Sequence, residues 1–397
     1  MDIRECIVER RSVRKYTEKE VPLHIIAEIM EHARLAPSAG NSQNWRFIIV
    51  LDKEKKAKIS EAANKPWMKE APVHIAVCNY SKKLTALYAE SGKMFSIQDC
   101  AIIASYIQLL AFEKDLGTCW VGAFDNEKVE HILQCPEDIK IEAIITLGYP
   151  GEEETKQKIR NELKNLCFFE PENASVKNTK EEEEIKEKTA EQCIEERKSI
   201  RKYLDKDVPH STVNEILNTA RLAPSAYNSQ NWRFAIARGK SKRHEIADIC
   251  SNQHWMTGAP VHIIICNFGK KLIDMHKDKG KLFAVQDCAI IASYIQLLAV
   301  EKGLGTCWVG AFDAGKLDEC AHGINSSLPS DAKPEIVLTL GFPDDTKHAG
   351  HIRNEFHDFC YFNKWGNKDV KKEKFDLKQQ VKDKTGFFKE LFSFKVQ

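Results

Sequence analysis

Arg10, Arg11, Ser12 and Arg14 fall within five residues in the run RRSVRKY, and the pattern returns as RKSIRKY with Arg197, Ser199 and Arg201. A guanidinium offers N–H donors in a planar fork that matches phosphate or carboxylate oxygens, so such a run can grip an anion. One isolated run reads equally as a solvated basic patch. Its return with the arginines and the serine kept favours an anion site, placed just before a helical segment. Arg160 is a further guanidinium that could meet the same anion.

Two other stretches carry chemistry. LAPSAGNSQNWRF begins at Leu35 and LAPSAYNSQNWRF at Leu222, thirteen residues with the single exchange of Gly40 for Tyr227. Pro, Ser, Gly and Asn are turn formers, while Asn41 and Gln43 pair donors with acceptors suited to a flat heterocycle's amide edge. A plain turn anchored by a buried Trp45 is the alternative. In LGTCWVGAF, Gly117 and Gly122 would let backbone N–H groups approach a ligand, or simply end a strand tightly. No GxSxG, HExxH or phosphate-binding P-loop occurs, and the histidines are scattered, so neither a hydrolytic nucleophile nor a metal site is expected. His74 and His262 sit in strand-like APVHI runs and read as core or surface strand residues. Anion-gripping arginines and glycine loops without an acid–base pair fit a protein that holds a phosphorylated cofactor.

The elements that must position these groups repeat with them. SIQDCAIIASYIQLLAFEKDLGTCWVGAFD from Ser96 returns from Ala284 at 26 of 30 positions. Units of about 170 residues are domains rather than solenoid repeats. Each unit has an amphipathic helix (Pro22 to Leu35 in the first), strands at RFIIVL and VHIAVC, an apolar helix from Gln98 to Phe112, then strands at GTCWVGAF and EAIITLGYP. That order gives an α+β fold, a mixed sheet flanked by helices, and the absence of GxGxxG argues against a Rossmann fold. The expected organisation is domain one at 1–171, a charged helical linker at 172–191 with a cap at Thr179, domain two at 192–366, and a Lys/Phe-rich tail at 367–397 docked as a helix.

Composition bounds the rest. With 59 Lys+Arg against 58 Asp+Glu, no basic face for nucleic acid or an anionic membrane is indicated. No secretory signal is read at the N-terminus and no apolar run approaches the roughly 18 residues of a membrane helix, so a cytoplasmic location is expected. The thirteen cysteines form no CxxC, and ten match between copies, as small buried hydrophobes in a reducing compartment would.

The ordered set RRSVRKY, PSAGNSQNW, GTCWVGAFD, GYP and a late arginine, found twice, resembles the FMN-dependent nitroreductase family over about 85% of the chain. That resemblance implies two nitroreductase-like domains packed as an intramolecular pseudo-dimer, with FMN sites at the junction. In the first copy it implies Arg10 and Arg160 on the phosphate, supported by Ser12, and Arg14 near the pyrimidine edge. It also implies the backbone stretch of Gly122, Ala123 and Phe124 beside N5, and Pro37, Ser38 and Asn41 reaching across to the other copy's flavin. The second set is Arg197, Ser199, Arg201, Pro224, Ser225, Asn228, Gly310, Ala311, Phe312 and Arg353. Two departures stand out: Asn44 and Asn231 replace a usual proline, and where the second copy has Asn252 and Gln253 the first has Asn64 and Lys65. With Gly40 and Tyr227 exchanged, Tyr227 is expected to crowd one site and Gly40 to leave the other open.

The implied activity is ping-pong hydride transfer from NAD(P)H through flavin N5 to nitroaromatic, quinone or similar acceptors, with no catalytic side chain of its own. The alternatives are an FMN enzyme of another reaction type, such as dehydrogenation or reductive dehalogenation, and a non-enzymatic FMN-binding protein. Two FMN per chain, a small-molecule acceptor and a monomer mimicking a homodimer are expected.

Overall fold

The computed structural model describes residues 1–152, 159–171, 187–344 and 352–369. The expected cap at Thr179 and the apolar end of the tail lie outside these residues. In the first copy the helices are α1 (Ile3–Glu9), α2 (Leu23–Ala33), α3 (Lys53–Ala62), α4 (Lys82–Glu113) and α5 (Asn126–Ile132). The second copy has α6 (Ala190–Glu196), α7 (His210–Ala220), α8 (Lys240–Ile249), α9 (Lys270–His276), α10 (Asp278–Glu301) and α11 (Ala314–Ile324), then the short α12 (Phe356–Phe359). Carboxylates start three helices of the first copy: Asp2, Asp52 and Asp125 each accept a backbone N–H from the first turn of α1, α3 and α5. α6 opens instead on a reciprocal capping box between Thr189 and Gln192.

The strands are β1 (Trp45–Val50), β2 (Val73–Asn79), β3 (Gly117–Val121), β4 (Lys140–Gly148), β5 (Cys167–Phe169), β6 (Trp232–Ala237), β7 (Val261–Asn267), β8 (Gly305–Val309), β9 (Lys333–Gly341) and β10 (Cys360–Phe362). They form two five-stranded sheets, ordered β10-β1-β2-β4-β3 and β5-β6-β7-β9-β8. Four strands of each sheet are antiparallel, and the edge strand is parallel and exchanged. β10, from the end of the second copy, pairs with β1 (Phe47 opposite Cys360). β5, from the end of the first copy, pairs with β6 (Cys167 opposite Phe234). The short CFF and CYF runs give no period of their own, which is why the sequence does not announce them.

Alternation along the strands sorts side chains to two faces. Trp45, Phe47 and Ile49 of β1 join a core that runs continuously through both copies, whereas Ile48 and Val50 join a separate cluster on the outer face. α4 and α10 lie at the centre of the shared core, where the hydroxyls of the paired residues Ser105 and Ser293 meet at 3.0 Å. These two helices are long and apolar enough to cross a membrane by length and composition, beyond what the apolar-run reading allowed, but 89% and 94% of their most apolar windows are buried inside the fold. Their apolar character is that of core helices. At the equivalent residues Ala89 and Lys277 the backbone turns a corner with φ near +50°. A Cβ at Gly92 would stand 2.3 Å from the Leu84 carbonyl oxygen, and one at Gly280 would stand 2.2 Å from that of Leu272. Only glycine fits there.

All thirteen cysteines are free thiols. His74 and His262 are buried, each bonded through Nε2 to a backbone carbonyl, and burial lowers both to about 4, so they are neutral core residues. His32 is less scattered than the sequence suggested: it approaches Glu191 at 3.4 Å and Glu195 at 3.5 Å, tying α2 to α6. Lys114 also faces Glu191, at 3.7 Å, an ion pair between the copies.

Candidate active sites between the copies

The basic run does not precede a helix. It leaves one: Arg10 caps the end of α1, and the chain continues extended beside β3, with Ser12 bridged to Thr118 and Val13 N–H donating to the Thr118 carbonyl at 2.9 Å. An extended segment puts Arg10, Ser12 and Arg14 on one side. Arg11 folds back on the helix end, donating to the Val8 and Glu9 carbonyls at 2.7 Å. The second copy repeats the geometry with Ser199 bridged to Thr306.

Arg10 and Arg197 are only 3% and 6% exposed. The Nε and Nη1 atoms of both are buried without a hydrogen-bond acceptor among the described residues, and no carboxylate there lies within ion-pair distance of either. Arg160 and Arg353 join them from chain segments that follow each copy's last antiparallel strand. Burial lowers Arg160 to about 10, helped by Arg10, and lowers Arg353 to about 10, helped by Arg197. Buried cations crowded together without a counter-ion are costly unless an anion joins them.

The late arginines are held by the opposite copy. Arg160 Nη1 donates to Asn228 Oδ1 at 2.7 Å and its Nη2 to the Leu222 carbonyl at 3.2 Å. Arg353 donates in the same way to Asn41 Oδ1 and to the Leu35 carbonyl. Asn41 and Asn228 therefore position the arginines across the junction, a more specific task than lining a ring.

Site one opens as a chamber of about 740 Å³ lined by Arg10, Ser12, Arg14 and Arg160 with Pro224, Ser225 and Asn228 of the second copy. It leads to a smaller chamber of about 230 Å³, where Ser12, Arg14, Lys65, Trp67, Gly122 and Ala123 meet Pro224, Ser225, Tyr227, Phe283 and Asp287. Site two has the matching small chamber, about 220 Å³, with Ser199, Arg201, Gln253, Gly310 and Ala311 from the second copy and Pro37, Ser38, Gly40, Tyr88, Phe95 and Asp99 from the first. Each cavity is composite, with walls from both copies.

Two expectations need correction. Gly122 and Ala123 line the cavity but Phe124 does not; the residue is 6% exposed and packs in the outer core, while its carbonyl takes a hydrogen bond from Lys279. Phe312 is likewise packed against the outer core of the second copy. Nor does Gly40 leave site two open. A Cβ at Gly40 would lie 3.0 Å from the hydroxyl of Tyr88, so that side chain fills the space. Tyr88 is the counterpart of His276, on which Tyr227 stacks in site one.

The loops themselves hang on residues the sequence reading passed over. Asp99 accepts from Ala39 N–H at 3.0 Å and from the Ser42 hydroxyl at 3.2 Å. Asp287 does the same for Ala226 and Ser229, at 2.9 and 3.0 Å. A lone acid inside an otherwise apolar helix, repeated in QDCAIIASYIQLLA, was the available signal. Asn44 explains its own departure from proline: its amide donates to Asn79 Oδ1 at 3.1 Å and to the Ser96 carbonyl at 3.2 Å, in a buried network that ends on Glu142. Trp45 is fully buried beneath the loop.

The profile of the nitroreductase family matches residues 7–67, 60–149, 194–254 and 250–342. The chain belongs to the nitroreductase family. Each copy is one nitroreductase unit. A Methanothermobacter thermautotrophicus protein described as an NADH dehydrogenase/NAD(P)H nitroreductase is 37% identical over 157 residues, which is 38% of this chain and 79% of that protein. An NAD(P)H-dependent FMN reductase of Bacillus subtilis is 28% identical over 39% of this chain and 69% of its own length. A solved structure described as a nitroreductase from Anabaena variabilis, 15% identical with a TM-score of 0.63, covers 86% of this chain and 91% of that one, and shows the nitroreductase fold spanning both copies.

Proposed function

We propose that the chain is an NAD(P)H-dependent flavin oxidoreductase with two FMN sites, passing hydride to nitroaromatic, quinone or similar planar acceptors. The observation that carries this reading is the pair of buried guanidiniums, Arg10 and Arg197, whose Nε and Nη1 donors lack acceptors among the described residues. A phosphate is the anion that a fork of this kind matches.

In site one, Arg10 and Arg160 hold the phosphate, with Ser12 and Arg14 along the path toward the smaller chamber. Arg197, Arg353, Ser199 and Arg201 do so in site two. Bound there, FMN supplies hydride acceptance and donation at N5. The fixed positive charge of Arg14 or Arg201 favours the negative charge that accompanies reduction, without any reorganisation at the moment of reaction. Pro224 and Ser225, or Pro37 and Ser38, close the chamber from the opposite copy, on loops fixed by Asp287 and Asp99. Trp67, Tyr227 and Phe283 give site one aromatic walls against which a planar acceptor can stack.

Anaerobic mixing of the FMN-loaded chain with NADH or NADPH tests the reading. The yellow absorbance of the flavin should bleach and return when a quinone or nitroaromatic is added. A flavin that stays oxidised under both nucleotides would show a storage or sensing protein instead.

A further inference from the structure

We propose that the two sites are electronically unequal, and that Lys65 makes the flavin of site one the stronger oxidant. The proposal rests on the FMN reading above and concerns which of the two bound flavins is reduced first.

The small chambers are built from equivalent residues, so their charged groups can be compared one for one. Site one contains Arg14, Lys65 and Asp287; site two contains Arg201 and Asp99, with Gln253 where Lys65 would be. Both aspartates are buried, engaged by the same two kinds of donor and pushed well above the usual carboxylate range by burial, so neither supplies a full counter-charge at neutral pH. What remains is one ammonium group. Asp115, which has no counterpart in the second copy, lies in the larger chamber rather than this one.

Nor is that ammonium neutralised locally. Lys65 is half-buried, its backbone N–H and carbonyl are fixed by Ser60, and its Nζ has no hydrogen-bond or ion-pair partner among the described residues. Gln253 is spent on its own surroundings, donating to the Cys250 carbonyl at 2.9 Å and accepting from Trp255 Nε1 at 3.3 Å. A pair of matched thiols lies within reach of the same charges. Burial raises both Cys119 and Cys307; Arg14, Arg10, Lys65 and a hydrogen bond with Ser12 oppose it at Cys119, whereas Arg201 and Arg197 alone do so at Cys307.

Two-electron reduction of a flavin ring at neutral pH leaves negative charge on it. A cation held in the same low-dielectric chamber favours the reduced form, and an uncharged amide does so far less. The expected preference is about tenfold or more in the reduction equilibrium, and tenfold corresponds to about 30 mV for a two-electron couple.

The test is an anaerobic dye-equilibrated redox titration of the full-length, FMN-loaded chain, followed by absorbance. The unaltered chain should titrate in two waves, with the Arg197→Ala variant keeping the higher wave and Arg10→Ala the lower. Lys65→Gln should lower the upper wave onto the other, Lys65→Arg should leave it in place, and Gln253→Lys should raise the lower one. A single wave in the unaltered chain, or two waves that Lys65→Gln does not move, would overturn the proposal while leaving the FMN reading intact. A purified chain that retains no FMN would overturn that reading, and this proposal with it.

Discussion

The ring of Tyr227 lies flat on the imidazole of His276, with centroids 4.4 Å apart and planes 10° from parallel. The loop tyrosine adopts φ +51°, a left-handed conformation that its counterpart Gly40 reaches at no steric cost. Stacking is what accompanies that conformation in the second copy. In the first, Tyr88 is carried by the helix and sits against Phe95 at 5.4 Å. Each site thus has aromatic cover, delivered from a different element. A stacked aromatic pair contributes about 0.5–1.5 kcal/mol, so Tyr227→Gly should shift acceptor KM about two- to tenfold in the Arg197→Ala background, where site one alone holds flavin. The Arg10→Ala background should show no change. An effect confined to the site built on Arg197 would mean that the loops serve their own copy.

Arg10→Ala should weaken FMN at site one by roughly ten- to a hundredfold, the loss of a charge-assisted contact of about 1.5–3 kcal/mol. Riboflavin, which lacks the phosphate, should bind nearly as before. The flavin-free chain should melt no lower than the unaltered one, because the substitution removes a buried cation that has no counter-ion. Calorimetric titration and thermal melts read the two effects separately, and equal losses for FMN and riboflavin would remove Arg10 from the phosphate site.

Flavin released by heat and quantified against chain should come to two FMN per chain. Because the halves already share one core, light scattering should give the mass of a single chain. One FMN per chain would mean that one of the two arginine sets does not hold phosphate.

Stability should fall as pH rises. Burial pushes Asp99 up to about 8 and Asp287 to about 7, against the donors that engage them. An unfolded aspartate titrates near 3.9, so from about pH 4 to 8 the folded chain keeps protons that the unfolded chain releases. Each such group then lowers stability by at most about 1.4 kcal/mol per pH unit across that window. Asp99→Asn should flatten the decline between pH 5 and pH 8 in urea melts, and an unchanged slope would show that Asp99 is ionised when folded.

How far the sequence disclosed this molecule depends on what kind of signal each part leaves. β1, β2 and β4 are continuous apolar runs and α2 has a clear apolar stripe, so their positions were legible. α3, KEKKAKISEA, buries only Lys56, Ile59 and Ser60 and shows no stripe to read. The arginines and loop serines were legible because the duplication displayed them twice. Phe95 and Tyr88 were not, because their importance comes from the opposite copy, which no local pattern encodes, and Asp99 left only the signal of a lone acid in an apolar helix. Phe124 misled because GAF continues a strand in sequence while its side chain turns into the outer core.

The exchanged edge strands also bear on how the chain is made. β1 completes its sheet only with β10, synthesised more than three hundred residues later, whereas β5 is already present when β6 emerges. The second copy can therefore complete its sheet edge from the part of the chain made just before it. The first copy must wait with the β1 edge unpaired, open to a wrong partner. Identical subunits meeting after release have no such order. Fusing them has given the two halves different histories at birth, and the first-made half is the last to be finished.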